Sequence, residues 1–353
     1  MHYYRIAHQN LTLFCREVFT SLGVSDEHAA IVADNLVEAE LREVKSHGIA
    51  RVKDYADSLS AKKFNAIPNI RIVRENISTI AVDGDYGLGA VSGKFAMEKC
   101  LDKAEKSGAA FATVGRGRHF GIAGFYAMMA LERDMIGIAL CNSDHNMNVY
   151  GGTSRVLGTN PICIAAPAAK RYPLVFDAAT SQVAFNRIKN AALEGREIPQ
   201  GWALDSEGKP TTDAKEALVG GVVHFGGYKG SGLAVMVQVL SGILSSAFLS
   251  AVQDREGITR DGVGFFLGAI HIGSFLEVAV FKQGVDEFID YLKASRPDSS
   301  LEAIYMPGEL EFLRKEKNLQ QGVEISESIL QDLIGVREKY GIQQGLEARP
   351  VQG

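Results

Sequence analysis

Between Ser46 and Tyr55 the sequence SHGIARVKDY places a hydroxyl, an imidazole, a guanidinium and a phenol within ten residues, at Ser46, His47, Arg51 and Tyr55. Redox chemistry at carbon 2 of a small 2-hydroxy or 2-oxo acid needs such a set. A base takes the hydroxyl proton as hydride leaves, and a forked cation holds the carboxylate. Imidazole titrates near neutral pH, so it can run the proton step in either direction. Spacing alone leaves another reading open, in which His47 caps a helix end and Arg51 is a solvated charge.

Four further segments carry candidate chemistry. GRGRHFGIAGFY places His119 where a strand–loop–helix transition is expected, a usual location for functional side chains and also for a capping histidine. GTNP at Gly158–Pro161 and FDAATS at Phe176–Ser181 bring small polar residues and the carboxylate of Asp177 to strand ends. Asp177 either fixes a histidine tautomer or caps the following helix. Gly226-Gly227-Tyr228-Lys229-Gly230 precedes an apolar helix, whose free N–H groups, with Lys229, offer a seat for a phosphate or carboxylate. Gly87-Leu88-Gly89 followed by Gly93 approximates a dinucleotide fingerprint, but its third glycine falls one position late and no acidic residue follows at the ribose distance, so a turn permitting close packing is favoured. His145, His224 and His271 lack the spacing of a metal site, and no metal is expected.

The elements that must hold these residues change character along the chain. Leu11, Phe14, Val18 and Phe19 recur at helical spacing from close to the start, Gly23 ends that helix, and Ser25-Asp26-Glu27 predicts the cap of a second helix running to about Glu43. A third helix carries Arg51, Tyr55 and Leu59. After Pro68 the pattern alternates: paired strands at IRIV and STIAVDG, a helix over 92–106, a strand at AAFATVG, an Ala-rich helix near 124–133, and strands at IGIALCN, ICIAAP, PLVFDA and GFFLGAIHI. Residues 286–295, 308–318 and 326–340 read as helices, so both chain ends are expected to pack together beside a central α/β body. The uncharged run from Gly230 to Gln253 is long enough to span a bilayer, yet its Gln, Ser and Gly content favours a helix buried on all sides.

With 353 residues, 46% of them hydrophobic and 22% charged, the chain can bury a large core. A formal net charge of −5 without a basic run excludes a nucleic-acid binder. Cys15, Cys100, Cys141 and Cys163 show neither zinc nor disulfide spacing and fit a reducing cytoplasm, and MHYYRIAHQN lacks the layout of a secretory signal.

Taken in order, SHGIARVKDYADSL, RHFGIAGFYA, GGTSRVLGTNP, FDAATS, IPQGWALDSEGKPTTD, FGGYKGSGLAVMVQVLSG and MPGEL resemble the malate/L-lactate dehydrogenase family that is unrelated to Rossmann-type lactate and malate dehydrogenases, over about residues 10–335. The resemblance implies an α/β, non-Rossmann fold with a large mixed sheet and a helical part built from both chain ends. Residues 1–75 with 297–353 would form a helical substrate and dimer domain, and 76–296 an α/β NAD(P)-binding domain. It implies a homodimer that transfers a hydride between NAD or NADP and a small acid, with no nucleic-acid or membrane partner. His47 would be the acid–base residue and Asp177 would orient it, while His119 matches the proton acceptor of ureidoglycolate dehydrogenases. Ser46, Arg51 and Thr159 would lie near the substrate. Ser143, Asp177, Ala178, Ala179, Lys229, Gly230, Gly308 and Glu309 would contact the cofactor. Ureidoglycolate dehydrogenases and cyclic imino acid reductases share the scaffold, and a nicotinamide-binding protein without catalysis is the alternative of a different class. The chain departs from the family at Asp144-His145-Asn146, at Arg118, at AIHIGSF around His271, and in the charged segment Ser250–Gly262, which reads as a mobile loop.

Overall fold

A computed structural model describes residues 2–247, 263–298 and 303–351, so the segment at Ser250–Gly262 lies outside the described residues. The chain opens not on a helix but on strand β1 (Tyr3–Ile6), followed by helices α1 (His8–Ser21), α2 (Asp26–Leu41) and α3 (Val52–Ser60). Strands β2 (Arg71–Glu75) and β3 (Thr79–Asp83), helix α4 (Gly89–Ser107), strand β4 (Ala109–Gly117), the short α5 (Ala123–Ala127) and β5 (Met135–Cys141) begin the α/β body. Then come β6 (His145–Asn148), β7 (Arg155–Gly158), β8 (Ile162–Ala166), β9 (Leu174–Ala178), α6 (Phe185–Leu193), β10 (Ala203–Leu204), β11 (Pro210–Thr211), α7 (Ala214–Gly220) and α8 (Tyr228–Val237). Strand β12 (Val263–His271), helices α9 (Val278–Lys293) and α10 (Glu309–Gln321), strand β13 (Val323–Ser326), α11 (Glu327–Tyr340) and β14 (Arg349–Pro350) complete it.

Strands β2-β3-β4-β12-β5-β8-β9 form one seven-stranded mixed sheet. The β3–β4 pair, joined through α4, is parallel, and its other pairs are antiparallel. Helix α4 buries Ala96, Met97, Cys100, Leu101 and Ala104 against Ala110, Ala112 and Val114 of β4. A separate core joins the two chain ends. Leu11, Phe14, Val18 and Phe19 of α1 meet Val32 and Leu36 of α2, Val323 and Ile325 of β13, and Leu330, Leu333 and Val336 of α11. Burying these four side chains of α1 alone contributes on the order of 8 kcal/mol before chain entropy is set against it. Strand β1 is held by β13 and β14, partners more than three hundred residues away, which is why local periodicity did not announce it.

The glycines at the start of α4 are occupied by packing. A Cβ on Gly89 would lie 2.3 Å from the carbonyl oxygen of Arg118 and 2.4 Å from that of His119, and one on Gly93 would strike the Tyr126 ring. The steric reading of that turn therefore holds.

The stretch after Gly227 corrects an expectation as far as residue 247; residues 248–253 of the uncharged run lie outside the described residues. Helix α8 continues as a π-helix over Gln238–Ile243 that lies against the sheet where Gly115 and Gly264 offer no side chain. It is buried along one stripe only. Met236 and Leu244 are 54% and 58% exposed, and Leu233, Val235, Val239 and Ile243 also face outward. No helix among the described residues is long and apolar enough to cross a membrane.

Candidate active site

The loop after α2 delivers His47. Arg42 ends the helix, Glu43 takes a left-handed conformation, and the turn is drawn back by Val44 N–H onto Ala39 O and His47 N–H onto Val44 O. A 3-10 turn over Ile49–Arg51 then enters α3, placing Arg51 and Tyr55 one turn apart. Arg51 donates from Nε to Ser46 O at 2.9 Å and from Nη1 to Asp54 at 3.1 Å, while no protein partner is shown for Nη2 among the described residues.

The second histidine arrives from β4. Its loop is fixed on several sides by groups that fit only against glycine. Besides the Gly89 contact, Gly121 lies against the buried Asn35 amide, where a Cβ would come within 1.9 Å of Oδ1. Tyr126 fills the space left by Gly93 and donates its hydroxyl to Phe120 O. Arg118, a departure from the family pattern, stacks its guanidinium 4.9 Å from the Tyr86 ring centre.

These two segments meet. The His47 and His119 rings stack with centroids 5.4 Å apart and planes 19° apart. Ser46 Oγ lies 2.8 Å from His47 Nδ1, and Tyr55 Oη lies 2.5 Å from His119 Nδ1. Gly121 N–H also donates to His119 Nδ1, at 3.4 Å. A backbone N–H can only donate, so neutral His119 must accept at Nδ1 and carry its proton on Nε2. Both histidines are half-buried. Burial, followed by the Arg51 charge, lowers His47 to about 4. Burial, then His47 and Arg51, holds His119 well below its ordinary value, and burial raises the Tyr55 phenol. At neutral pH both imidazoles are uncharged.

Asp177 reaches this assembly differently from the expectation. Its Oδ2 accepts Gly124 N–H at 2.7 Å, and among the described residues the carboxylate makes no hydrogen bond to either imidazole. It therefore anchors the segment just beyond His119 rather than the ring. The residue as a whole is exposed, yet partial loss of hydration around the carboxyl, opposed by the Gly124 N–H and the Arg42 charge, raises it to about 6.

Thr159 and Ser143 also come together, with Oγ1 and Oγ 3.3 Å apart. Between them stands Asn160, which the sequence reading did not single out. It is fully buried, accepts Ser143 N–H, and donates to Ala234 O and Gln238 Oε1, tying the Thr159 turn to α8. Its position in GTNP, beside a glycine pressed against Ser143, was the available signal. Asn186 of α6 was likewise missed; its amide reaches Ser46 O at 3.4 Å.

The remaining residues expected at a cofactor lie along β9 and at the start of α8. Ala178 ends β9, with Ala179 immediately after it. Gly308, at a φ of 85°, packs against Val175 two residues before Asp177, and Val175 N–H donates to Pro307 O. Glu309 pairs with Lys293 at 2.5 Å and lines a surface cavity with Lys170, Arg171 and Met306. Lys229 is exposed in the first turn of α8, after Gly226 and Gly227 in positive φ, and Gly230 lets the turn close on Phe225 O. No group of three or more metal-ligating side chains occurs among the described residues.

A mixed α/β scaffold presenting paired imidazoles and a partly unoccupied arginine is equipped for proton exchange beside an anionic substrate. Known proteins place it further. Residues 6–334 match the family model described as malate/L-lactate dehydrogenase. A malate dehydrogenase of Pyrococcus horikoshii is 39% identical, with 97% of each chain covered, and the solved structure of malate dehydrogenase from that organism superposes with a TM-score of 0.88 at 37% identity over 97% of both chains. An L-sulfolactate dehydrogenase of Methanocaldococcus jannaschii is 38% identical over 92% of this chain and 94% of its own, and an NAD(+)-dependent ureidoglycolate dehydrogenase of Escherichia coli is 31% identical over 94% and 95%. The chain belongs to the malate/L-lactate dehydrogenase family.

Proposed function

We propose that this protein transfers a hydride reversibly between NAD or NADP and C2 of a small 2-hydroxy or 2-oxo acid of the malate/L-lactate type. The observation that carries the reading is the unequal wiring of the two imidazoles. His47 Nδ1 faces a hydroxyl, which can turn to accept or donate, so His47 can exist neutral or protonated. His119 Nδ1 faces Gly121 N–H, and protonating it would set donor against donor. His47 is therefore assigned the proton exchanged with the substrate hydroxyl, and His119 the role of a fixed neutral donor through Nε2. Arg51 would hold the substrate carboxylate through its free edge, with Ser46 and the Thr159 hydroxyl lining the same site. Asp177 would hold the His119 segment in register.

The cofactor, when bound, supplies the hydride acceptor or donor. Positive-φ glycines, the exposed Lys229 and the open strip along β9 fit such a group. Ser143, Asp177, Ala178, Ala179, Lys229, Gly230, Gly308 and Glu309 would hold it. In this reading residues 1–75 with 297–353 bring His47 and Arg51 together with Gly308 and Glu309, and 76–296 bring His119 and the other cofactor contacts. The four cysteines are all buried and free, as suits a reducing cytoplasm.

A second copy of the chain would cover the apolar face of α8. Ile164 of β8 and its partner Phe176 of β9 are 45% and 46% exposed, adding a second uncovered patch. Apolar surface on this scale marks an association site, which supports a homodimer.

The test is turnover of malate, lactate, sulfolactate and ureidoglycolate with each nucleotide, followed by cofactor absorbance. His47→Ala should lose about 10²–10⁴-fold in kcat on whichever acid the wild type uses. Wild-type turnover by His47→Ala on every acid would exclude the role.

A further inference from the structure

Glu40 lies in the last turn of α2, nine residues before Ile49, and is fully buried. Its Oε2 accepts Ile49 N–H at 3.1 Å. That N–H opens the 3-10 turn leading into α3 and would otherwise have no partner inside the protein. The carboxylate reaches it only because residue 48 is glycine. A Cβ on Gly48 would lie 2.0 Å from Oε2, 3.1 Å from Cδ and 3.3 Å from Cβ of Glu40. The other oxygen, Oε1, is buried without a hydrogen-bond partner. The groups acting on this carboxyl are Lys45 and Glu43 on the loop itself, and Cys15 of α1 lies close enough to feel its charge. No salt bridge to Glu40 is present among the described residues. A buried carboxyl without a counter-ion is costly, and burial raises it to about 7, so it is mostly the neutral acid only below neutral pH.

Packing alone gives no reason to place an acid here. The carboxyl instead spans from α2 to the backbone immediately after His47, with Gly48 as the matching gap. We propose that Glu40 is the positioning residue of the acid–base loop, setting the height and angle of His47 against His119 through the Ile49 N–H and the close contact with Gly48. This rests on the assignment of proton transfer to His47. Among the described residues Glu40 makes neither a hydrogen bond nor an ion pair with His47, so it acts through the backbone.

Two kinds of measurement separate this role from general stabilisation. Glu40→Gln keeps an oxygen for Ile49 N–H, whereas Glu40→Ala removes it and Gly48→Ala drives the carboxyl away from the opposite side. With the acid that the wild type turns over, Glu40→Ala and Gly48→Ala should lower kcat by about 10–100-fold, as expected for sub-ångström to ångström misplacement of a reacting group. NADH affinity should be unchanged, and Glu40→Gln should restore kcat to within about threefold. The second readout needs no turnover: the rate at which diethyl pyrocarbonate modifies each histidine, mapped by peptide mass. His47 should react at least about threefold differently in Glu40→Ala and Gly48→Ala but not in Glu40→Gln, with His271 unchanged as an internal reference. If Glu40→Ala folds and matches wild type in His47 modification and kcat, or if Glu40→Gln is as impaired as Glu40→Ala, the positioning role is overturned. Altered His47 reactivity in an enzyme inactive on every acid would leave the positioning role standing and count against the proposed reaction.

Discussion

Gly89→Ala probes the way the α/β body sets the position of His119. The new methyl would sit 2.3 and 2.4 Å from the carbonyl oxygens of Arg118 and His119. Both neighbours are backbone, so neither can swing aside, and restoring ordinary contact requires a displacement of about 1 Å. Overpacking of this kind costs about 1–3 kcal/mol. Alanine recovers at most about 1 kcal/mol through its helix preference, and less at the first residue of α4. The net expectation is a loss of about 1–2 kcal/mol in stability. Displacing His119 by about 1 Å should in addition lower kcat by up to about 10²-fold. Urea denaturation and steady-state kinetics measure the two effects separately. Gly335→Ala is the control: it lies in α11 with nothing within 4 Å of the new Cβ and no positive φ, and should be neutral or stabilising by up to about 1 kcal/mol. A Gly89→Ala protein with wild-type stability and kcat would refute the tight seating of the His119 loop.

Two further outcomes follow from the site and the surface. His47 titrates near 6.5 when unfolded but about 4 when folded, so the unfolded state binds more protons between these values and stability falls as pH drops from about 6.5 to 4. The full loss is about 3 kcal/mol; chemical unfolding across that window should show a shallower pH dependence in His47→Gln, and an unchanged slope would contradict the buried neutral imidazole. Met236→Glu or Leu244→Asp, placing charge on the exposed face of α8, should shift sedimentation from dimer to monomer with the secondary structure retained; an unaltered oligomer would rule that face out of the interface.

Much of the architecture was legible because it is written locally. The Leu11, Phe14, Val18 and Phe19 spacing became the buried face of α1, and Ser25 does accept His28 N–H as a cap. Strands with strong β-branched or alternating content were found within a few residues of their observed ends. Strand β1 was not, since YYRI becomes a strand only through partners at the far end of the chain. The reading of α8 as buried on all sides failed because an uncharged run records that a face avoids water without recording whether the same chain covers it. At the site, the residue types near His47 were readable, while the 2.5 Å contact of Tyr55 with His119 spans 64 residues and has no sequence signature. Asp177 shows the same limit. Its acid was visible, yet its engagement with Gly124 N–H depends on how β9 and α5 lie against each other.

The central claim is that His47 exchanges the proton while His119, held by Tyr55 and Gly121, remains a neutral donor. A crystal soaked with NADH and oxamate, a dead-end analogue of a 2-oxo acid, tests it most directly. The account predicts His47 Nε2 within hydrogen-bond reach of the C2 oxygen position and the oxamate carboxylate on Arg51. Oxamate oxygen bound by His119 alone, with His47 turned away from C2, would contradict it.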